Sequence, residues 1–381
     1  MQDEQLLLLL KERALESAAE GVVIADANQM GIPIIYANRA FTVLTGYQPE
    51  EVIGRNCRFL QGPDTNPEAL QRIRNSLANE SLCFEEILNY RKDNTPFWNR
   101  LSITPVKNDQ GQTTHFIGIQ SDITRRRLAE DSLKEANAKL KRDLLAAAEL
   151  QQDQLPKKLP DCKKYRFAWR FRPCQELAGD TLNILPLDDR HIAVYVLDVS
   201  GHGVRAALQS FSINHDLQPH RGVLNLLSPE KVLDWLNIKY SQVLQIGMFF
   251  TISYGILDTH TGKFTFSSAG HPGPILTHKD HAPQIIESPS YPIGINPKAE
   301  YTLKTIQLQA GEKLIMFTDG VLEAIDMQGK AFGQTGLLET LFRNRELNID
   351  EMLEMIMKSL DNWVNHANLK DDVSLVGFES V

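Results

Sequence analysis

Over the first 124 residues, short apolar runs alternate with polar turns in the pattern of a small mixed domain. The amphipathic segment 5–20 is predicted to be helical, and its apolar positions cover too wide an arc for a surface helix, so we expect it to pack on a partner or to dimerise. Because helical segments fall between the second and third strand patterns, the order predicts an α+β domain with helices on one face of a five-stranded sheet. The strand patterns lie at 21–26, 32–38, 83–91, 97–106 and 113–123.

The next segment, 125–155, contains neither glycine nor proline and is rich in strong helix formers. Its apolar positions recur every three or four residues, and its charged residues lie between them: Leu133, Ala136, Leu140, Leu144 and Ala147. A solvated spacer helix is the simpler interpretation, but so long a helix needs a partner, and the narrow apolar stripe favours a two-stranded coiled coil. We therefore expect a homodimer formed through the N-terminal helix and this linker.

In the remainder, 156–381, apolar strands end repeatedly in an acid or a glycine turn. Four acids lie at strand ends. Asp198 ends an apolar run, Asp319 follows one, Asp371 precedes one, and Asp180 lies in "LAGDTLN". Carboxylates at strand ends can converge at the rim of a sheet, and hard oxygen ligands suit Mg²⁺ or Mn²⁺. Two such ions can activate a water and orient a phosphate for attack. The alternative is that each aspartate only forms a turn.

Five motifs in this region, in order, resemble those of the metal-dependent serine/threonine phosphatases of the type 2C superfamily, in the bacterial stress-response and sporulation branch. They are "DVSGHGVRAAL", "SSAGHPGPIL", "YPIGI", "MFTDGVLEA" and "KDDVSLV". The resemblance implies an α-β-β-α sandwich with two Mn²⁺ or Mg²⁺ ions. It also implies that Asp198 bridges both ions, that the Val199 carbonyl assists one, and that Asp319 and Asp371 hold the second. Asp180 would ligate or orient metal-bound water, which makes Asp180 and Asp198 the catalytic acids.

The sequence departs from the family pattern in the first motif, which reads "AGDTLN". Ala178 and Asn183 stand where a glycine and a second acid are common, so a charge near Asp180 is removed. His202 and His271 lie in glycine turns and are expected to be structural.

The stretch "GRNCRFLQG", 54–62, places Cys57 among polar groups. A lone cysteine is most often a small buried hydrophobe. Here, however, amide side chains that could match the edge of a flavin ring are available in the same domain: Asn56, Gln61, Asn89, Asn99 and Gln120. Arg58 and Arg74 could hold a phosphate, and Phe59, Leu60 and Ile73 could form apolar walls.

Together with "LNYRKDNTPFWN" and "FIGIQSDIT", this stretch resembles the light-oxygen-voltage (LOV) subclass of PAS domains over 21–124. The resemblance implies a five-stranded antiparallel sheet and non-covalently bound flavin mononucleotide (FMN). Blue light would drive Cys57 to form an adduct with the flavin, and Gln120 would change its hydrogen bond to the ring. Asn89, Asn99 and Gln120 would bind the ring edge, with Arg58 and Arg74 on the phosphate. Asn94 stands where a glycine is common, and asparagine tolerates positive φ.

The composition indicates where in the cell the protein acts and which ligands it does not bind. A formal net charge of −8 argues against broad nucleic-acid binding. Four scattered cysteines without a CxxC pair argue against a disulfide framework, and no apolar run approaches the ~20 residues that a membrane span needs. We expect a cytoplasmic protein that acts neither on nucleic acid nor in a membrane.

The hypothesis is a blue-light-regulated, metal-dependent protein serine/threonine phosphatase. It comprises an N-terminal helix (1–20), a LOV domain (21–124), a coiled-coil linker (125–155) and a phosphatase domain (156–381). By resemblance, the substrate would be a phosphorylated anti-sigma-factor antagonist. Two alternatives remain: a light-switched binding protein with a degenerate, inactive phosphatase fold, and a phosphatase whose flavin domain senses redox state or only dimerises. A cyclase or kinase is disfavoured because no glycine-rich phosphate loop with a downstream lysine is present.

Overall fold

The computed structural model describes residues 2–219, 225–241, 247–365 and 369–381. The chain divides into two compact units, Met1–Lys139 and Leu140–Val381. Across the described residues, none of the helices is both long and apolar enough to pass through a bilayer.

The first unit is built on one five-stranded antiparallel sheet, as predicted, and its strand order is β2-β1-β5-β4-β3. Its strands are β1 (Gly21–Asp26), β2 (Ile34–Ala37), β3 (Cys83–Tyr90), β4 (Pro96–Lys107) and β5 (Thr113–Asp122). Its helices are α1 (Gln2–Glu16), α2 (Arg39–Thr45), α3 (Pro49–Val52), the 3₁₀ helix η1 (Cys57–Leu60) and α4 (Pro67–Ala78). Asn94 adopts φ +64°, which confirms the expected left-handed turn before β4.

Helix α1 ends four residues before the predicted boundary, and a buried asparagine explains why. The Asn38 side chain donates to the carbonyls of Leu15 (3.0 Å) and Glu20 (3.0 Å). Its Oδ1 accepts from the backbone of Val22 (2.8 Å) and caps helix α2. The bond to Leu15 satisfies a carbonyl in the last turn of α1, and the bond to Glu20 holds the chain just before it enters β1.

Helix α5 (Thr124–Gln152) follows β5 directly and contains the boundary between the two units. It has no buried residue, and Leu133 and Leu140 are exposed. In α1, the described leucines Leu6, Leu7, Leu9 and Leu10 are exposed as well. Pairing of these apolar residues in a dimer stays a prediction.

The second unit is a sandwich of two five-stranded antiparallel sheets. One sheet has the order β13-β10-β9-β8-β7 and the other β12-β11-β14-β15-β6. The strands are β6 (Tyr165–Arg172), β7 (Thr181–Pro186), β8 (His191–Val199), β9 (Phe250–Asp258), β10 (Lys263–Ala269), β11 (Ile275–Thr277), β12 (Gln284–Ile285), β13 (Lys304–Gln307), β14 (Lys313–Phe317) and β15 (Val373–Ser380). The helices are α6 (Val204–Asp216), α7 (Pro229–Ser241), α8 (Gly320–Glu323), α9 (Gly333–Arg343) and α10 (Ile349–Trp363).

Three apolar layers hold this sandwich together. Val194 and Val196 of β8 face the layer between the sheets, which also contains Phe378. The alternate residue Tyr195 faces the layer under helices α6 and α7. Helices α8, α9 and α10 cover the outer face of the other sheet. Strand β8 is therefore buried on both faces, which accounts for its continuous apolar run, and the predicted α-β-β-α architecture is confirmed.

Candidate functional sites

The first unit contains a cavity of about 530 Å³ between the sheet and the helices that follow β2. All eight residues predicted to bind the flavin through polar groups or the thiol line it: Asn56, Cys57, Arg58, Gln61, Arg74, Asn89, Asn99 and Gln120. Leu60 and Ile73 form part of its apolar wall, as expected. Phe59 does not, because Cys57 and Leu60 share the inner face of η1 while Phe59 packs against Tyr47 (ring centroids 4.9 Å apart).

Three buried amides form a chain across the sheet at the cavity wall. Asn99 Nδ2 donates to Asn89 Oδ1 (2.9 Å) and to Gln120 Oε1 (3.1 Å). Gln120 Nε2 donates in turn to Cys57 Sγ (3.3 Å). The order β3-β4-β5 brings these side chains together, since Asn99 lies in the central strand of the three.

One atom of this chain, Asn99 Oδ1, is buried and has no hydrogen-bond partner. A buried polar atom left unpaired costs about 1–3 kcal/mol. A ligand that presents a donor at this position would remove that cost. The mixture of donors and acceptors on the three amides fits the pyrimidine edge of a flavin, which has both functions.

Cys57 lies where the amide chain meets the cavity. Burial raises the pKa of its thiol to about 11, and the hydrogen bond from Gln120 only partly opposes that shift. The group is therefore a protonated thiol at neutral pH rather than a ready nucleophile. It would need activation by whatever the cavity binds.

Two guanidinium groups, those of Arg58 and Arg74, also line the cavity. Neither Arg58 nor Arg74 forms an ion pair with a carboxylate among the described residues, and Arg74 Nη1 donates to Gln71 Oε1 (3.2 Å). Both remain available to an anion such as a phosphate. Asn56 has a different role, because its amide bonds the carbonyl of Gly31 (2.5 Å) and caps the backbone of Arg58 (3.0 Å).

In the second unit, the predicted acids lie at one end of the two sheets, although no three of these four have carboxylate oxygens within 4.8 Å of one another. Thr181 pairs with Leu197, so Asp180, just before β7, and Asp198 in β8 lie side by side. The other sheet supplies Asp319, at the start of α8, and Asp371, just before β15. Both act electrostatically on Asp198.

Burial and mutual repulsion dominate the electrostatics of this carboxylate centre. The pKa of Asp198 rises to about 7, chiefly through burial and then through the charges of Asp319 and Asp371. Burial also raises the pKa of Asp180, Asp319 and Asp371. Asp180 is 1% exposed, and its Oδ2 accepts from Thr318 Oγ1 (2.7 Å) and Ser374 Oγ (2.8 Å). Buried carboxylates that crowd one another in this way fit a site for hard divalent cations.

A fifth carboxylate, Asp372, was missed by the sequence analysis. It accepts from the backbone of Cys174 (2.8 Å) and Gly179 (2.7 Å), and so holds the loop before Asp180. Cys174 has its Sγ within 4.8 Å of the carboxylates of Asp371 and Asp372. The sequence offers one signal for Asp372, the adjacent pair "DD". Neighbouring residues that enter a strand point to opposite sides, so one carboxylate of such a pair is expected to face inward.

Two glycines allow the backbone segments of this centre to approach one another. A Cβ on Gly320 would lie 1.9 Å from the Asp372 carbonyl oxygen, and one on Gly179 would lie 2.8 Å from the Val199 carbonyl oxygen. Neither position tolerates a side chain. His271 is buried with a pKa lowered to about 4 by burial, and its Nδ1 contacts Thr251 Oγ1 (2.8 Å), in keeping with a neutral structural histidine.

Comparisons with known proteins match the two parts of the chain to two different families. The profile of the family described as Stage II sporulation protein E matches residues 188–380, more than half of the chain, and a PAS domain profile matches 19–125. Phototropin-2 of Oryza sativa subsp. japonica is 46% identical over 112 residues, which are 29% of this chain and 12% of that protein. A blue-light-activated histidine kinase of Rhizobium johnstonii is 47% identical over 117 residues, 31% of this chain and 34% of that protein.

The chain thus spans about an eighth to a third of the length of these relatives (12% and 34%). For the second unit, the solved SiaA-PP2C domain of Pseudomonas aeruginosa is similar, with a TM-score of 0.57 and 18% sequence identity. The match covers 65% of this chain and 98% of that domain. At this identity the likeness concerns the fold.

Replacing one carboxylate tests the proposed metal centre without any activity assay. In chelator at fixed pH, Asp198→Asn should raise the stability of the protein by about 2 kcal/mol, because it removes one buried, repelled charge. Mn²⁺ should raise the melting temperature of the wild type and leave that of the variant unchanged. Calorimetric unfolding measures both effects. Asp189→Asn, at an exposed position, is the matched control, and an equal Mn²⁺ response in all three proteins would contradict a metal site at Asp198.

Proposed function

Since the chain belongs to the Stage II sporulation protein E family, we propose that it is a metal-dependent protein serine/threonine phosphatase controlled by blue light. The observation that carries the proposal is the presence in one chain of two prepared sites. One is a cavity with a thiol and an amide chain, and the other is a centre of crowded carboxylates. The continuous helix α5 joins the two units in sequence.

The proposed input is FMN bound in the cavity of the first unit. FMN supplies blue-light absorption and an electrophilic ring position for the Cys57 thiol. Asn89, Asn99 and Gln120 would hold the ring edge, while Arg58 and Arg74 would hold the phosphate. Asn56 would shape the wall, and Gln61 would contribute a polar group at the rim.

Gln120 is suited to pass on a change at Cys57. Its Nε2 now donates to Cys57 Sγ, so a change at that sulfur removes an acceptor and favours a new orientation of the amide. Two residues later in β5, Asp122 accepts from the first backbone amide of α5, at Thr124 (2.9 Å). A change in strand β5 therefore lies close to the start of the linker helix, which would act as a two-state element.

The proposed output is hydrolysis of a phosphoserine or phosphothreonine at the carboxylate centre. Two Mn²⁺ or Mg²⁺ ions would supply charge stabilisation and activation of water. Asp198 and the Val199 carbonyl would hold the ions together with Asp319 and Asp371. Asp180, hydrogen-bonded to two hydroxyl groups, would orient the attacking water.

The substrate proposed by family resemblance is an anti-sigma-factor antagonist protein, and the proposed assembly is a homodimer through α1 and the linker. The proposed domain limits remain 1–20, 21–124, 125–155 and 156–381. All four predicted carboxylates are present at one end of the sandwich, which favours catalysis over an inactive binding fold. Asn183, which stands where the family has a second acid, makes its side-chain hydrogen bonds to Gln154, Asn214 and Ile184 rather than to these carboxylates.

Photochemistry at Cys57 can be tested by absorption spectroscopy. Blue light should reversibly bleach the blue absorbance band of the FMN-loaded wild type, and Cys57→Ala should abolish the bleaching while retaining flavin. Because the thiol pKa is about 11, the extent of bleaching should not vary between pH 6 and pH 9. Cys162→Ala, in the second unit, is the control. Reversible bleaching that persists in Cys57→Ala would sink the assigned role of this thiol.

Light control of catalysis is tested with a phosphoserine protein substrate and Mn²⁺. The wild type should dephosphorylate it at rates that differ at least fivefold between darkness and blue light. Asp198→Asn should lose activity in both conditions by about a thousandfold, because a principal charge at the centre is gone. Cys57→Ala should keep its dark rate under illumination. Equal wild-type rates in light and darkness would leave a phosphatase without light control, and a metal-independent rate would refute the catalytic centre.

A further inference from the structure

The end of helix α5 is joined to the loop that carries Asp180 by a paired hydrogen bond from one side chain. Gln151 Nε2 donates to the carbonyl oxygen of Ala178 (2.6 Å), and the Ala178 backbone amide donates to Gln151 Oε1 (3.0 Å). The glutamine amide thus binds both polar groups of one backbone residue, as a neighbouring strand would. A longer contact of 3.5 Å joins Gln151 to Ser210 Oγ in α6.

On its other side, the same loop is fixed by the carboxylate centre. Asp372 accepts from the backbone amides of Gly179 (2.7 Å) and Asp180 (3.5 Å). Gly179 also lies so close to the Val199 carbonyl that a Cβ would approach its oxygen to 2.8 Å. A shift of Ala178 would therefore disturb Asp180 and press on Val199, both of which are proposed to serve the metal ions.

A second polar contact supports the same docking of the helix end. Asn183 Nδ2 lies 3.5 Å from the Gln154 carbonyl oxygen and 3.3 Å from Asn214 Oδ1. Both partners are acceptors, so an amide can bond them and a carboxylate cannot. The asparagine that departs from the family pattern thus belongs to the attachment of α5. Leu155, just beyond the helix, is buried in the layer between the sheets and fixes the chain there.

We propose that Gln151 is a positioning residue, through which the last turn of the linker helix sets the geometry of Asp180 at the metal centre. The inference rests on the proposed metal-dependent function. When the helix end holds Ala178, the loop keeps Asp180 beside Asp198. When the helix end rotates or withdraws, the paired bond breaks, and Ala178 loses this anchor while Asp372 still holds Gly179 and Asp180. The linker would then control metal binding without contacting a metal ligand directly.

The test compares full-length Gln151→Ala with Gln152→Ala, which removes the same side chain at the next, exposed position. In chelator, hydrogen exchange of the Ala178 and Gly179 amides should be about tenfold faster in Gln151→Ala than in wild type. Calorimetric titration should show Mn²⁺ binding about tenfold weaker with unchanged stoichiometry. These changes correspond to the loss of about two hydrogen bonds. Gln152→Ala should behave as wild type in both measurements.

Each outcome decides a separate question. Unchanged exchange and unchanged Mn²⁺ affinity in Gln151→Ala would overturn the positioning role. Exchange that rises equally throughout the second unit would also overturn it, since that pattern marks a general loss of stability. If the wild type itself binds no Mn²⁺, the proposed metal-dependent function fails, and local exchange at Ala178 still decides whether Gln151 holds this loop. Gln151→Glu, which keeps the acceptor but loses the donor, should give an intermediate exchange rate.

Discussion

Repulsion among buried carboxylates is the constraint on which the second unit depends. The two sheets can pack together only if their ends accommodate the acids that lie there, and Asp180 and Asp198 are side by side at this end. Hydroxyl groups and backbone amides satisfy Asp180 and Asp372, but they supply no positive charge. The repulsion among the carboxylates therefore still costs free energy, and divalent cations that bind at this end of the sandwich would remove that cost. A small displacement of one carboxylate would consequently change the affinity for the cations considerably.

The first unit also has a buried polar site that the protein alone does not fully satisfy, but its groups are neutral. Its amide chain is complete except at Asn99 Oδ1, and its thiol is held protonated by burial.

Helix α5 is fixed mainly near its two ends. At its start, Arg127 Nη2 binds Glu86 (2.6 Å) and its guanidinium lies 4.4 Å from the Trp98 ring centroid. At its end Gln151 binds Ala178, and between them no residue is buried. A helix held in this way is suited to transmit a change by moving its ends.

Much of this was accessible from the sequence, because it depends on local pattern. The sheets could be predicted from the alternation of apolar and polar residues. Nearly all of the candidate site residues could be predicted from the acids at strand ends and from the amides around Cys57. What escaped depends on contacts between distant segments. Asn38 ends α1 early through bonds across 23 and 18 residues, and Gln151 reaches Ala178 across 27. Asp372 carries no local mark that distinguishes its inward carboxylate from that of Asp371, and Phe59 faces away because a 3₁₀ turn sets its direction.

The central claim is that chemistry at Cys57 changes the metal centre. The most direct measurement is the Mn²⁺ dissociation constant of the full-length, FMN-loaded protein in darkness and under continuous blue light, with Cys57→Ala as the reference. We expect at least a fivefold difference between the two conditions in the wild type and none in Cys57→Ala. The same dissociation constant in light and darkness for the wild type, with bleaching of the flavin verified in the same sample, would contradict it.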